Sequence, residues 1–173
     1  ALTHSSYTKE QNQPHTMCYE RLEFLGDAVL KLTISDVLFK SHPEATEGEL
    51  SKIRSIIVSD NTLAQIAKAN GLQKLIILAK HEEKQGCRNL NSICACAFEA
   101  ILGAYYLDGK YNELEEYIRK TFIPYIKDVE ENFANYNAKA ILQEYTQNLD
   151  KTTPKYVVLS ESGPEHRKIF EVQ

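Results

Sequence analysis

The sequence predicts a mainly all-α domain over residues 1–133, followed by the opening of a smaller α+β module over residues 137–173. Three observations lead there. First, apolar residues recur at three- and four-residue spacing over Cys18–Lys40, Glu47–Val58, Asn61–Asn70, Ser92–Leu107 and Asn112–Asn132, which is the period of amphipathic helices. Second, the character changes near Tyr136. A short helix over Ala138–Leu149 gives way to Lys155-Tyr156-Val157-Val158-Leu159, which is rich in β-branched and aromatic residues, and the turn Ser162-Gly163-Pro164 leads to a second strand over Lys168–Val172. Third, the breaks carry helix start and stop signals. Thr46 and Glu49 fit a capping box, Asn112 with Glu115 is a looser version, and Asp60 and Asn91 or Ser92 can cap the helices after them. Pro43, Gly71, Gly86 and Gly109 mark connections, and Pro124 is expected to kink or divide the last long helix.

Hydrophobic residues make up 43% of the 173 and charged residues 25%, a globular rather than disordered composition with enough chain for one sizeable core. There is no apolar run of membrane-spanning length and no signal-peptide pattern, so the chain reads as a cytoplasmic protein without a membrane partner. Cys18, Cys87, Cys94 and Cys96 form no disulfide framework and are read as reduced thiols. Cys94 and Cys96, two apart on a helix, do not share a face, and a structural zinc there is not expected. The net charge of −4 argues against a general nucleic-acid binder, which needs clustered Lys and Arg. Both termini read as cut within an element, the first at Ala1-Leu2-Thr3-His4 and the last at Glu171-Val172-Gln173.

Glu20, Glu23 and Asp27 stand at offsets of zero, three and seven. At helical pitch their side chains fall within roughly 60° of one another. Gly26 beside them lowers helix stability by about 1 kcal/mol relative to alanine, a hint of close approach by backbone or ligand. In the second apolar helix Glu99 is the only acid, and Ala95, Ala100, Gly103 and Ala104 would let another helix pack closely. A carboxylate in such surroundings needs a partner, because an unpaired buried charge is costly. Three acids on one helix face are by themselves usually a solvated surface; the second helix turns the balance toward a metal site.

Glu20-Arg21-Leu22-Glu23-Phe24-Leu25-Gly26-Asp27 resembles the ribonuclease III signature. The similarity continues through Thr3-His4-Ser5-Ser6, Glu47-Gly48-Glu49-Leu50-Ser51-Lys52-Ile53-Arg54 and Ala97-Phe98-Glu99-Ala100-Ile101-Leu102-Gly103-Ala104 to Leu107-Asp108-Gly109. The resemblance implies an all-helical endonuclease domain acting as a homodimer on double-stranded RNA, in ribosomal and other RNA processing. It also implies Mg²⁺, or Mn²⁺, between the two carboxylate helices. Glu23, Asp27 and Glu99 match the family's metal positions, Asp27 and Glu99 its catalytic ones, and Glu20 and Glu47 further acidic positions lining the cleft. Phe24 falls where the family packs an aromatic ring into the partner subunit; an ordinary place in the protein's own core is the competing reading. Carboxylate oxygens suit Mg²⁺, and the implied chemistry is hydrolysis of a phosphodiester to 5′-phosphate and 3′-hydroxyl ends.

Position 96 departs from the pattern. Where family members carry an aspartate ligand, this chain has Cys96, a soft donor that is mostly neutral at an unperturbed pKa near 8.5. Three readings stand: a weakened nuclease, a double-stranded-RNA binder that does not cut, and an error or engineered change. The first is favoured because every other acidic position is present.

The segment Asn137-Ala138-Lys139-Ala140-Ile141-Leu142-Gln143-Glu144-Tyr145-Thr146-Gln147, followed by Pro154-Lys155-Tyr156 and Gly163-Pro164-Glu165-His166, resembles the first half of a double-stranded-RNA-binding domain. Such domains read duplex shape across the minor groove. The resemblance implies groove contacts by Gln143, Glu144, Gln147 and His166. The basic second helix of that module is expected beyond Gln173, and half a module is expected to be poorly stable alone.

Overall fold

The computed structural model describes residues 1–163 and 168–173. His166, one of the expected RNA contacts, lies outside the described residues. The chain divides into two compact units, Ala1–Phe133 and Ala134–Gln173.

The first unit is helical: α1 (Ser5–Glu10), α2 (Glu20–Ser41), α3 (Glu47–Ile57), α4 (Asp60–Ala69), α5 (Lys80–Lys84), α6 (Asn91–Leu107) and α7 (Tyr111–Glu131), with short 3₁₀ turns at His15–Met17, Leu72–Leu75 and Cys87–Asn89. At its centre α2 packs along α6, and α4 and α7 flank the pair. Leu30, Ile34 and Leu38 of α2 meet Leu102, Cys94 and Phe98 of α6, Leu63 and Ile66 of α4, and Ile118, Phe122 and Ile126 of α7 in one buried cluster. Removing such side chains from water stabilises each by about 1.5–3 kcal/mol.

The α2–α6 crossing is a backbone contact. A Cβ built on Gly26 would overlap the Glu99 carbonyl oxygen and lie 2.9 Å from the Gly103 nitrogen; a Cβ on Gly103 would lie 3.0 Å from the Gly26 nitrogen. The hint carried by Gly26 and by the small residues of α6 is thus realised by these two helices on each other. All four cysteines are free.

Thr46 and Glu49 make the expected capping box, with the Thr46 amide donating to Glu49 Oε2 at 2.8 Å and the Glu49 amide to Thr46 Oγ1 at 3.3 Å. Thr46→Ala is expected to lower unfolding free energy by about 1 kcal/mol, read as a shifted urea midpoint with an unchanged slope; an unshifted midpoint would show the box to be energetically idle.

Several boundaries differ from expectation. Ser59, not Asp60, caps α4, its hydroxyl accepting from the Thr62 amide, and Asp60 is the first helical residue. Leu90 and Lys110 precede α6 and α7 without side-chain caps, so neither Asn91, Ser92 nor Asn112 serves in that role. Pro124 does not divide α7, which runs unbroken. It sits on the exposed side of that helix, where the carbonyl it leaves without a helical donor can be hydrated.

The second unit holds α9 (Ala138–Asp150) and an antiparallel pair, β1 (Val158–Ser162) and β2 (Ile169–Val172); α8 (Phe133–Tyr136) spans the division. The first strand begins three residues later than the sequence pattern suggests, because Val158↔Val172 and Ser160↔Glu171 are the pairs that form, with an irregularity between them. No described residue of this unit is buried. Among the described residues no helix is long and apolar enough to cross a membrane.

Candidate functional site

Glu20, Glu23 and Asp27 project from the first two turns of α2, and the Gly26–Glu99 contact fixes where α6 delivers its single acid. The result is an open cleft lined by Glu20, Glu23, Asp27, Lys31, Asp60 and Glu99, with Arg54 and Ser51 of α3 on its far wall. Asp27 accepts from Lys31 Nζ at 2.7 Å, one helical turn on. The Arg54 guanidinium donates to Ser35 Oγ at 2.8 Å, which holds it over α2.

Electrostatics single out Glu99. Burial, and then the charges of Asp27, Glu23 and Asp60, push its pKa up to about 8, with Lys31 pulling weakly the other way. The acid therefore holds a proton at neutral pH unless a cation enters. Cys96, one turn earlier on α6, is pushed up to about 12 by burial, by a hydrogen bond to Glu23 and by the charges of Glu23, Glu99 and Asp60. It is a neutral thiol, as its residue type suggests.

Five carboxylates facing one cleft, one of them kept protonated by burial and by its neighbours, form a hard-oxygen donor set with excess negative charge. Such a set fits a divalent cation of the Mg²⁺ type, whereas the neutral Cys96 thiol adds no charge and no hard donor to it.

The sequence motifs anticipate Glu20, Glu23, Asp27 and Glu99 as neighbours, and the structure brings those four together. It does not bring Glu47 to them. Glu47 accepts from Ser51 at 2.7 Å and lines an adjoining groove with Leu32, Phe39 and Leu50. Asp60 is the residue sequence reasoning missed, because its place before an apolar helix reads as a cap. Lys31 and Arg54 were missed too; the i,i+4 spacing of Asp27 and Lys31 is the signal that could have revealed one of them. Phe24 is 80% exposed, which overturns its reading as part of the protein's own core: on α2 it lies between the carboxylate cleft and a hollow formed by Met17, Leu22, Leu25 and Leu107.

In the second unit Gln143, Glu144 and Gln147 are exposed on α9, with Gln147 one turn on from both of the others. Lys139 Nζ stands 5.1 Å from the centre of the Tyr156 ring.

A ribonuclease-III-like family profile matches residues 1–126. Ribonuclease 3 of Fusobacterium nucleatum subsp. nucleatum is 42% identical over 173 residues, covering 100% of this chain and 74% of that protein. Ribonuclease 3 of Oleidesulfovibrio alaskensis is 46% identical over 175 residues, covering 100% of this chain and 75% of its own length. A solved nuclease domain of ribonuclease III from Campylobacter jejuni, described for structural flexibility in a region involved in dimer formation, superposes with a TM-score of 0.64 at 35% identity, over 71% of this chain and 84% of that one. Dicer from Pichia stipitis follows at 29% identity and a TM-score of 0.53, over 89% and 73% of the respective chains. With a profile match across most of its length and relatives this similar over its whole extent, the chain belongs to the ribonuclease III family.

Proposed function

We propose that the chain is an endoribonuclease that hydrolyses double-stranded RNA with a divalent cation, Mg²⁺ or Mn²⁺, leaving 5′-phosphate and 3′-hydroxyl ends. The observation that carries the reading is the convergence of Glu23 and Asp27 from α2 with Glu99 from α6 in one open cleft. Glu23, Asp27 and Glu99 hold the cation, with Asp60 beside them and Glu20 at the rim. When bound, the cation makes a water more acidic and neutralises charge on the phosphate. Glu99 gives up its proton as the site fills, because a ligand must be deprotonated. Lys31 and Arg54 face the phosphate backbone and offset its charge. Residues 1–133 carry the chemistry.

Residues 137–173 serve as the opening of an RNA-binding module, with Gln143, Glu144 and Gln147 toward a minor groove. The exposed Phe24 ring beside its own apolar hollow supports a homodimer, since a second copy related by a two-fold axis would exchange this ring reciprocally. Duplex segments of ribosomal and messenger RNA are the substrates this reading implies. A set of free thiols suits the cytoplasm.

Cys96 weakens the site rather than closing it, because five carboxylates remain around the cleft. Cys96→Asp is expected to lower the Mg²⁺ concentration for half-maximal cleavage of a long RNA duplex by about tenfold or more. The reading fails if neither the wild-type chain nor Cys96→Asp cuts duplex RNA with Mg²⁺ or Mn²⁺. A duplex cut by the variant alone would make the natural chain an RNA binder.

A further inference from the structure

Ahead of the carboxylate helix, the segment from His15 to Glu20 is tightly folded. The Cys18 amide donates to the His15 carbonyl at 3.2 Å, closing the 3₁₀ turn. The Tyr19 amide donates to the Thr3 carbonyl at 2.9 Å, which ties the turn to the N-terminal strand-like segment, and the Leu22 amide donates to Tyr19 as α2 begins. This backbone gathers three different donors on one side. His15 Nε2 lies 3.2 Å from Glu20 Oε2, and a ligand atom from each of His15, Cys18 and Glu20 lies within 4.8 Å of the other two.

We propose that His15, Cys18 and Glu20 form a second metal site, selective for a borderline-soft divalent transition ion such as Zn²⁺, which adjoins the hard-oxygen cleft through Glu20 and differs from it in donor chemistry. The donor chemistry argues for that class. Imidazole nitrogen, thiolate sulfur and one carboxylate oxygen form a set that Zn²⁺ accepts and that Mg²⁺, which prefers oxygen and retains its waters, does not. At zinc's bond lengths, tetrahedral donors sit about 3.3–3.7 Å apart, so the His15–Glu20 separation of 3.2 Å is close to that spacing and the Cys18 sulfur, within 4.8 Å of both partners, has to close by about 1.5 Å at most. Three protein ligands leave the fourth position to water, on the side where His15 is exposed. A lone histidine–glutamate ion pair would be an ordinary surface contact; the buried thiol placed within reach of both makes it a ligand set. Glu20 belongs to both places, at the rim of the cleft and in the triad, so an ion bound here holds that carboxylate in one orientation.

The test is a Co²⁺ titration of the full chain with Mg²⁺ in large excess, following the near-ultraviolet band that a thiolate–cobalt bond creates. The band is expected in the wild type and in Cys96→Ser, and is expected to vanish in Cys18→Ser. His15→Gln, a change at an exposed side chain that leaves the fold alone, is expected to weaken Co²⁺ binding by about tenfold or more, and Zn²⁺ is expected to displace the cobalt. Absence of the band in the wild type, its survival in Cys18→Ser, its loss in Cys96→Ser, or unchanged affinity in His15→Gln would each overturn the site. None of these readouts needs RNA cleavage, so they stand apart from the proposed nuclease activity.

Discussion

Glu99→Gln is expected to lose metal-dependent cleavage and yet to unfold at a higher temperature than the wild-type chain when metal is removed. Both effects follow from one carboxylate. Its pKa is pushed up to about 8 by burial and by Asp27, Glu23 and Asp60, against about 4.3 for a glutamate in an unfolded chain. Between those values the folded protein holds a proton that the unfolded chain has released. Folding then takes up protons, and stability falls as pH rises through that window, levelling off above the folded pKa. With allowance for screening in an open cleft, the loss by pH 8 is about 2–3 kcal/mol. Glutamine has no proton to lose, so the variant should show neither the loss nor this part of the pH slope. Saturating Mg²⁺ should reverse the ranking, because it binds the folded wild type and stabilises it by mass action. Cleavage should fall by at least about a hundredfold, since even groups that only orient metal ligands are worth 10- to 100-fold. Thermal melts at pH 5 and pH 8, with EDTA and with Mg²⁺, check the stability half. Parallel pH profiles for the two proteins in EDTA would refute it.

Gly26→Ala should have the largest effect on the fold of any single methyl addition in the first unit. The new Cβ would overlap the Glu99 carbonyl oxygen and approach the Gly103 nitrogen to 2.9 Å. Both are backbone atoms in the middle of a helix, so no side chain can rotate aside and α2 and α6 must separate. Overpacking of this kind costs about 3 kcal/mol or more, equivalent to a melting temperature lower by roughly 10 °C for a chain of this size. The same separation would move Asp27 away from Glu99 and reduce cleavage even where the protein still folds. Gly48→Ala is the control: a Cβ there meets nothing within 4 Å, and alanine favours the helix, so that variant should melt at or slightly above the wild type. Equal melting temperatures for the two alanine variants would show that the crossing can relax.

The order of the helices was legible in the sequence because period and capping are local. The 3.6-residue recurrence over Glu47–Val58 and the Thr46–Glu49 pair need only neighbours to act, and α3 with its capping box follows them closely. Glu20, Glu23 and Asp27 were legible as one face for the same reason, and Gly26 with Gly103 announced a close crossing by the absence of side chains. Local signals also explain where the reading stopped. Asp60 and Ser59 are both good caps in isolation, and only the fold decides that Ser59 caps while Asp60 turns into the cleft. Pro124 breaks helices in general, but α7 absorbs it because its outer face is open to water.

By itself, then, the sequence determined which side chains can do chemistry and which helices carry them, since residue type and spacing along one helix are properties of the chain alone. Tertiary structure decided which acids meet. It placed Glu99 of α6 against Glu23 and Asp27, added Asp60, left Glu47 in a neighbouring groove, set Phe24 outside the core, and drew His15 and Cys18 up to Glu20. The physical reason is that a pKa near 8, a shared cation or an ion pair depends on charge separations of a few ångströms and on burial, and those distances exist only once α2 and α6 have packed backbone to backbone.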